Sequence, residues 1–380
     1  FLIEAVLIDM FSALPVPAYV FDFVRVFTLQ DYNTRVVLFG TLLLGTASGI
    51  VGTFTLLRRQ ALVGDVVSHA ALPGVAIAFL AGELVLPGSG RSLTSLLIGA
   101  AISGLLAVVC VNLIRRYSFV KPDAALATAL GVFFGLGAVL FKVVEQLPSG
   151  NRAGLNQFIF GSAATMTRHD VELISWAALG SLVLVLLLFK EFSQLSFDED
   201  YAAAQGWPVL LLDLLLTGLV VAVTVIGLQS VGILMVALLI TPPTAARFWT
   251  ERLGVMTVIA AAIGGASAAI GTLASASIPK LAGGPTIVLT GTVFFIISLV
   301  FGTHRGILQR WLKQSRLNRR VGRVDLLRAM YEIIESHLPE SARVTRKLLA
   351  SEAVQFDQLL RHRSWTPKRL RKLIARAESE

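Results

Sequence analysis

Two side chains in the first fifth of the sequence could bind a metal ion together. Asp65 and His69 are four residues apart, and on an α-helix that spacing places both on one face, one turn apart. Pro73 follows four residues later and has no N–H for the carbonyl of His69. Carboxylate, imidazole and carbonyl groups suit a first-row divalent cation such as Mn²⁺, Fe²⁺ or Zn²⁺. The spacing therefore predicts a metal site on a helix.

A structural explanation of the same pair stays open. Asp65 could cap the start of a helix, and His69 could be an interior histidine with satisfied nitrogens. Charges within membrane-length segments are costly and often mark function. The spacing alone does not decide between the two explanations.

The segments that carry these residues belong to a strongly apolar chain. Of the 380 residues, 55% are hydrophobic and 15% are charged, and the mean hydropathy is +0.75. Repeated apolar runs of about 20 residues predict an all-α, polytopic helical membrane protein. About nine spans are expected, near residues 36–57, 65–86, 93–114, 124–144, 173–189, 209–228, 231–247, 255–276 and 286–301.

The division into regions follows from these spans. Residues 1–34 are expected to form an N-terminal interfacial or external segment, 35–305 the transmembrane domain, and 306–380 a basic cytoplasmic helical tail. Within the tail, the spacing of apolar residues predicts an amphipathic helix over 324–334, and further helices are predicted at 343–350, 353–361 and 367–376. Small-residue patterns such as Gly45-x-x-x-Gly49 and Gly131-x-x-x-Gly135 predict close helix packing.

Basic residues at the ends of spans predict the orientation. They place the N-terminus outside and the C-terminus in the cytoplasm. The loop from Gln146 to Asp170 is then external, and we expect adjacent His169 and Asp170 to lie in a surface loop that could contact an external binding protein. The inward-facing basic positions are Arg58, Arg59, Arg115, Arg116, Lys190, Arg247 and Arg305.

Two further stretches stand out. Asp198–Gly206 begins with acids and ends at a glycine, which predicts a short, well-capped helix in a cytoplasmic loop. Thr241-Pro242-Pro243 predicts a break in the seventh span that frees the carbonyls of Leu238 and Leu239. The break could be an ordinary kink or could line a pathway.

Several chemistries are excluded by the sequence. There is no Gly-x-x-x-x-Gly-Lys-Ser/Thr motif, so any ATP that drives this chain must be hydrolysed by another polypeptide. No permanently bound cofactor is expected. Cys110 is the single cysteine, which rules out a disulfide framework and any multi-cysteine metal site.

Arg58-Arg59 followed by Gly64-Asp65-Val66-Val67-Ser68-His69-Ala70-Ala71-Leu72-Pro73-Gly74 resembles the hallmark of ABC-type manganese, zinc and iron permeases. Gly284-Pro285-Thr286-Ile287-Val288 resembles the family's last span. The resemblance implies that Asp65 and His69 bind a transported ion. Thr241-Pro242-Pro243 departs from the family's single-proline pattern.

The resemblance also implies partners. The family works as a homodimeric permease in the bacterial inner membrane, with a cytoplasmic ATPase dimer and an external solute-binding protein. The Asp198–Gly206 stretch resembles its coupling helix, which docks into the ATPase by helix-in-groove contact. The residues expected to dock are Asp198, Glu199, Asp200, Ala202, Ala203, Ala204 and Gly206.

Two other functions are alternatives. A secondary metal transporter driven by an ion gradient would need neither a coupling helix nor an ATPase. A membrane-bound regulator would use the tail to read DNA, but about nine spans exceed what an anchor requires. More than half of the Lys and Arg residues follow His304. We expect this basic tail to be a solvated surface, and nucleic acid is not an expected partner.

Overall fold

The computed structural model is entirely helical over the residues that it describes, which are 32–58, 60, 62–85, 92–146, 167–277, 281–337, 356–363 and 365–378. Predictions for residues 1–31, for the loop centre at 147–166 and for a tail helix at 343–350 lie outside them. The helices are α1 (Tyr32–Leu57), α2 (Val63–Val85), α3 (Leu93–Tyr117), α4 (Pro122–Gln146), α5 (Arg168–Leu187), α6 (Phe189–Phe197), α7 (Glu199–Ala204), α8 (Val209–Val231), α9 (Met235–Ala246), α10 (Leu253–Ser277), α11 (Gly283–Phe301), α12 (Ile307–His337), α13 (Phe356–His362) and α14 (Pro367–Glu378).

Eight of these helices are long and apolar enough to cross a membrane, namely α1–α5, α8, α10 and α11. The predicted polytopic helical fold is therefore confirmed. The expected seventh span differs, because α9 has only 12 residues. At 1.5 Å per residue it is about 18 Å long, well short of a hydrocarbon core of about 30 Å.

The break before α9 lies at a glycine and not at the paired prolines. Gly232 has a φ of +76°, a left-handed conformation that favours glycine, and a 3₁₀ turn over Gly232–Leu234 follows it. Helix α9 then continues through Pro242 and Pro243. The prediction that these prolines break the span is therefore wrong. The two prolines instead lack the N–H groups that would donate hydrogen bonds to the carbonyls of Leu238 and Leu239, one turn earlier.

Helix α1 lies in backbone contact with α10 and α9 because glycines face the contact. A Cβ atom on Gly45 would overlap the carbonyl oxygen of Gly264, and one on Gly49 would overlap that of Ala260. One on Gly52 would overlap the carbonyl of Leu239, which Pro243 leaves without a helical donor. The first small-residue pattern is thus confirmed as a packing surface.

The second small-residue pattern does not pack against any helix that the structure describes. No atom of the described residues lies within 4 Å of a Cβ placed on Gly131 or Gly135. A glycine pattern of this kind is common by chance, and the prediction of close packing there is wrong for contacts among these residues.

The loop before α5 is shorter than predicted. Helix α5 begins at Arg168, and Asp170 is its third residue. The Asp170 carboxylate is buried and accepts hydrogen bonds from the Thr167 backbone N–H at 2.7 Å and from its hydroxyl at 2.8 Å. Asp170 is therefore a capping residue and not part of a surface loop, because a buried carboxylate requires such donors.

The chain divides into two compact units, Phe1–Gly306 and Ile307–Glu380. In the second, α12 forms one helix of 31 residues that includes the predicted amphipathic stretch 324–334. The predicted helices at 353–361 and 367–376 correspond to α13 and α14.

We predict that Gly49→Ala lowers the thermal stability of the purified protein by several degrees, because the methyl group would force α1 away from the α10 backbone. The unfolding midpoint in detergent, followed by intrinsic fluorescence, measures this. Gly135→Ala is the matched control and should leave the midpoint unchanged. Equal midpoints for the two variants would contradict the proposed contact.

Candidate functional site

The predicted pairing of Asp65 with His69 is present on α2. The helix runs without interruption through Pro73, so the two side chains share one face. His69 Nε2 lies 3.5 Å from Asp65 Oδ1. The side chains are 21% and 34% exposed, respectively. Both donors are thus close together and reachable at the start of a membrane-length helix.

The surroundings of His69 show whether it is an interior histidine with both nitrogens satisfied, as the structural explanation of the pair requires. Its ring makes an edge contact with Phe134 of α4, with 5.0 Å between ring centroids and 86° between planes. Its Nδ1 atom is buried and has no hydrogen-bond partner in the described part of the chain. A purely structural interior histidine is expected to have both nitrogens satisfied. The described residues therefore leave one nitrogen of His69 without the partner that a purely structural role would predict.

The donor set in one chain is small. Among the described residues there is no group of three or more His, Cys, Asp and Glu side chains that could hold a metal ion. The site supplies one carboxylate and one imidazole, whereas zinc takes about four ligands and harder divalent ions take about six. Further ligands must come from water, backbone or a second chain.

A cavity of about 720 Å³ opens near the start of α2. Val63 and Val66 line it, on either side of Asp65 in sequence, but neither Asp65 nor His69 does. The charged residues in its lining are Arg58, Arg115, Asp123, Glu199, Asp213 and Arg247.

This cavity brings several helix ends to one side of the membrane unit. Asp213 lies in the second turn of α8 and Arg247 directly follows α9, and both line the cavity. The chain therefore leaves this side along α8 and returns to it along α9. The short α9 thus takes the place of the predicted seventh span.

Arg58 has a structural role that sequence reasoning missed. The sequence indicates only that Arg58 marks orientation, yet its side chain is only 6% exposed and its guanidinium pairs with two acids. Nη1 donates to the Asp213 carboxylate of α8, and Nη2 lies 3.3 Å from Glu199 Oε2 of α7. The lone acid within the apolar run of α8 was a usable signal, because a charge in such a segment requires a partner.

The short helix predicted at 198–206 is present as α7. Asp198 caps it by accepting a hydrogen bond from the Tyr201 N–H at 3.0 Å, and Gly206 follows with a φ of +85°. Ala203 and Ala204 are exposed, but Ala202 is fully buried. Ala202 therefore packs inside this chain and cannot face a partner, which corrects that part of the docking prediction.

The prolines singled out by sequence lie at helix contacts. Pro73 packs beside Gly137 of α4, where an added Cβ would lie 3.0 Å from its ring. Pro242 and Pro243 are buried. A Cβ added to Gly264 would lie 3.5 Å from the Pro242 ring, and one added to Gly52 would lie 3.3 Å from the Pro243 ring. Thr241 is partly exposed. A pathway-lining role for Thr241, Pro242 and Pro243 stays a prediction.

Comparison with known sequences gives a consistent result. Residues 30–302 match the ABC 3 transport family. The chain is 44% identical over 329 residues to the manganese transport system membrane protein MntC of Bacillus subtilis, covering 85% of this chain and 74% of that protein. It is 44% identical over 290 residues to the zinc transport system membrane protein TroC of Treponema pallidum, covering 76% and 95%.

Solved structures show the same fold. PsaBC from Streptococcus pneumoniae in complex with Fab aligns with a TM-score of 0.63 and 32% identity, over 76% of this chain and 96% of that chain. An inward-facing conformation of a putative metal-chelate type ABC transporter aligns with a TM-score of 0.56 and 18% identity, over 70% and 85%. At that identity the second structure supports the fold alone.

We predict that Asp213→Asn lowers the free energy of unfolding by about 1–3 kcal/mol, because it leaves the buried Arg58 charge without its main partner. Denaturation in detergent measures the change. The matched control is Glu251→Gln, which breaks an exposed pair with Arg305 at 3.2 Å and should cost about 0.5 kcal/mol or less. If both substitutions lower the free energy of unfolding by the same amount, the pair of Arg58 with Asp213 stabilises the fold no more than an exposed ion pair does.

Proposed function

This chain belongs to the ABC 3 transport family, and we propose that its Asp65 and His69 bind a divalent transition-metal ion in transit. The chain is the membrane-spanning permease of an ABC-type metal importer and a multi-pass protein of a bacterial inner membrane. The observation that carries the proposed site is the 3.5 Å approach of His69 Nε2 to Asp65 Oδ1, on a helix within the region that matches the family.

Manganese is the first ion to test. The relative whose match covers 85% of this chain is named for manganese transport, and a second relative is named for zinc. One carboxylate with one imidazole accepts either ion, as it would accept iron, because none of them demands sulfur ligands. Selection among these ions rests on ligands beyond Asp65 and His69.

A symmetric pair of chains would enlarge the donor set. A two-fold axis repeats every residue on the partner, so two copies supply two carboxylates and two imidazoles. Water or the His69 carbonyl, which Pro73 leaves without a helical donor, adds oxygen ligands. This arrangement fits an ion that is held briefly between two permease subunits.

Helix α7 supplies the contact with a separate ATPase. Its exposed surface includes Glu199, Asp200, Tyr201, Ala203 and Ala204. Ala202 lies on the opposite side, which is buried against the rest of this chain. Small and acidic side chains suit a groove with complementary charge. The side of the membrane unit that carries α7 and the arginines around the cavity is then cytoplasmic, and an external binding protein delivers the ion to the opposite side.

Arg58 connects this docking helix to the metal site. It pairs with Glu199 at the start of α7 and with Asp213 of α8. It also directly follows α1, whose Phe54 ring contacts the rings of Phe189 and Phe192 in α6 at 5.7 and 5.8 Å. A movement of α7 driven by ATP is thereby carried to the α1–α2 connection, beside Asp65.

We predict that Asp65→Asn and His69→Gln each reduce manganese uptake by about tenfold or more, since each removes a ligand. Uptake into proteoliposomes that contain the full importer measures this, and co-purification with the ATPase should be retained. Glu83→Gln, at the far end of α2, is the control and should transport normally. Normal uptake by both site variants would refute the site.

We predict that Ala203→Arg disrupts binding of the ATPase subunit, because a long cation replaces a small side chain on the exposed face of α7. Co-purification of the two subunits from membranes should fall about tenfold relative to the unmodified protein. Asn318→Arg in α12 adds the same charge outside the docking helix and should leave co-purification unchanged. A gradient-driven transporter would show no associated ATPase with any variant, which would favour that alternative.

A further inference from the structure

The net charge of the chain resides in its C-terminal unit. Residues 307–380 contain 17 of the 33 Lys and Arg residues and 8 of the 24 acidic residues. The remaining 16 of each sign cancel in residues 1–306, so the C-terminal unit alone accounts for the charge of +9. A basic unit of this kind attracts a polyanion.

The last two helices of this unit have the spacing along the chain that is typical of a helix-turn-helix. Helix α13 ends at His362 and α14 begins at Pro367, so four residues of the sequence separate them. In DNA-binding modules, two helices joined by a short turn place the second helix in the major groove.

Both helices are fixed on α12 by a separate hydrophobic core. Leu359 of α13 and Leu370 of α14 are buried with Leu326, Ala329 and Ile333 of α12. The apolar side of α14 is therefore used for packing, with Leu373 and Ile374 beside Leu370. This leaves the opposite side of α14 as the surface that a partner can reach.

The surface left on α14 is cationic. Lys368, Arg369, Arg371 and Lys372 are all exposed. The Arg371 guanidinium lies 5.9 Å from the centre of the Phe356 ring of α13. Lys368, Arg369 and Lys372 have no acidic partner among the described residues. Two of these three lie in the first turn of α14, where recognition helices contact DNA.

Contrary to the expectation from the charge of the tail alone, we propose that helices α13 and α14 act as a DNA-binding helix pair, in which Lys368, Arg369 and Lys372 contact the phosphates and base edges of duplex DNA. The charge alone would also satisfy the positive-inside rule, but that rule requires no folded helix pair. Adsorption to a membrane by an amphipathic helix requires a free apolar face, and Leu370 is fully buried.

The test uses the full-length chain in nanodiscs of uncharged phosphatidylcholine, with binding of a fluorescein-labelled 24-base-pair duplex followed by anisotropy over a salt series. The variant Lys368→Gln/Arg369→Gln/Lys372→Gln is compared with Arg310→Gln/Lys313→Gln/Arg316→Gln. The control variant removes the same charge from exposed positions of α12. Both variants should retain the helicity and thermal midpoint of the unmodified protein.

The unmodified chain is expected to bind the duplex, and the α14 variant is expected to bind it at least about tenfold more weakly. The slope of the logarithm of the binding constant against the logarithm of the salt concentration should be smaller in magnitude by about two to three for the α14 variant. The α12 variant should lose about threefold or less. Equal losses in the two variants would overturn the proposal, as would no binding by the unmodified chain at about 0.15 M salt. If the α14 variant loses binding to phosphatidylglycerol vesicles but keeps its binding to DNA, the surface is a membrane contact and the proposal fails. Manganese uptake by the α14 variant should be normal, so this result stands apart from that of the transport site.

Discussion

The close approach of helix α1 to α10 and α9 is the constraint on which the membrane unit depends. Three glycines, at positions 45, 49 and 52, let carbonyl oxygens of the neighbouring helices reach the α1 backbone. Inside a bilayer there is little hydrophobic force between helices, so such contacts and van der Waals packing hold them together. The contact at Gly52 also covers the Leu239 carbonyl that Pro243 leaves without a donor. A helix containing paired prolines is thereby tolerated at membrane depth.

Fixing α1 also fixes the elements that follow it. Phe54, in the last turn of α1, contacts α6. Arg58, the first residue after α1, pairs with Asp213 and Glu199. Helix α2 begins five residues after Arg58. Arg58 therefore contacts α7 and α8 and lies shortly before α2, the helix that carries the proposed metal site.

Three acids of the membrane unit, Asp65, Asp170 and Asp213, differ in their partners. Asp170 is satisfied by Thr167, and Asp213 is neutralised by Arg58. Asp65 lies 3.5 Å from His69, and the Nδ1 atom of that histidine is buried and has no hydrogen-bond partner among the residues that the structure describes. A buried polar atom without a partner is costly. This difference supports the proposal that Asp65 and His69 bind a ligand, whereas Asp170 and Asp213 stabilise the fold.

The sequence predicted local features well and long-range partners poorly. The face shared by Asp65 and His69 depends only on helical periodicity, and it is present. The seventh span was misjudged because hydropathy does not reveal a left-handed glycine such as Gly232, and because proline is less disruptive where another helix covers the freed carbonyl. The pairing of Arg58 with Asp213 joins residues 155 positions apart, and the burial of Ala202 depends on the packing of α7. Periodicity determines neither.

Anomalous X-ray diffraction at the manganese edge, from crystals of the assembled importer with the ion bound, tests the central claim most directly. The account predicts an anomalous peak about 2.0–2.4 Å from His69 Nε2 or Nδ1 and from an Asp65 carboxylate oxygen. A peak in the membrane region that neither side chain contacts, with Asp65 and His69 facing lipid, would contradict it.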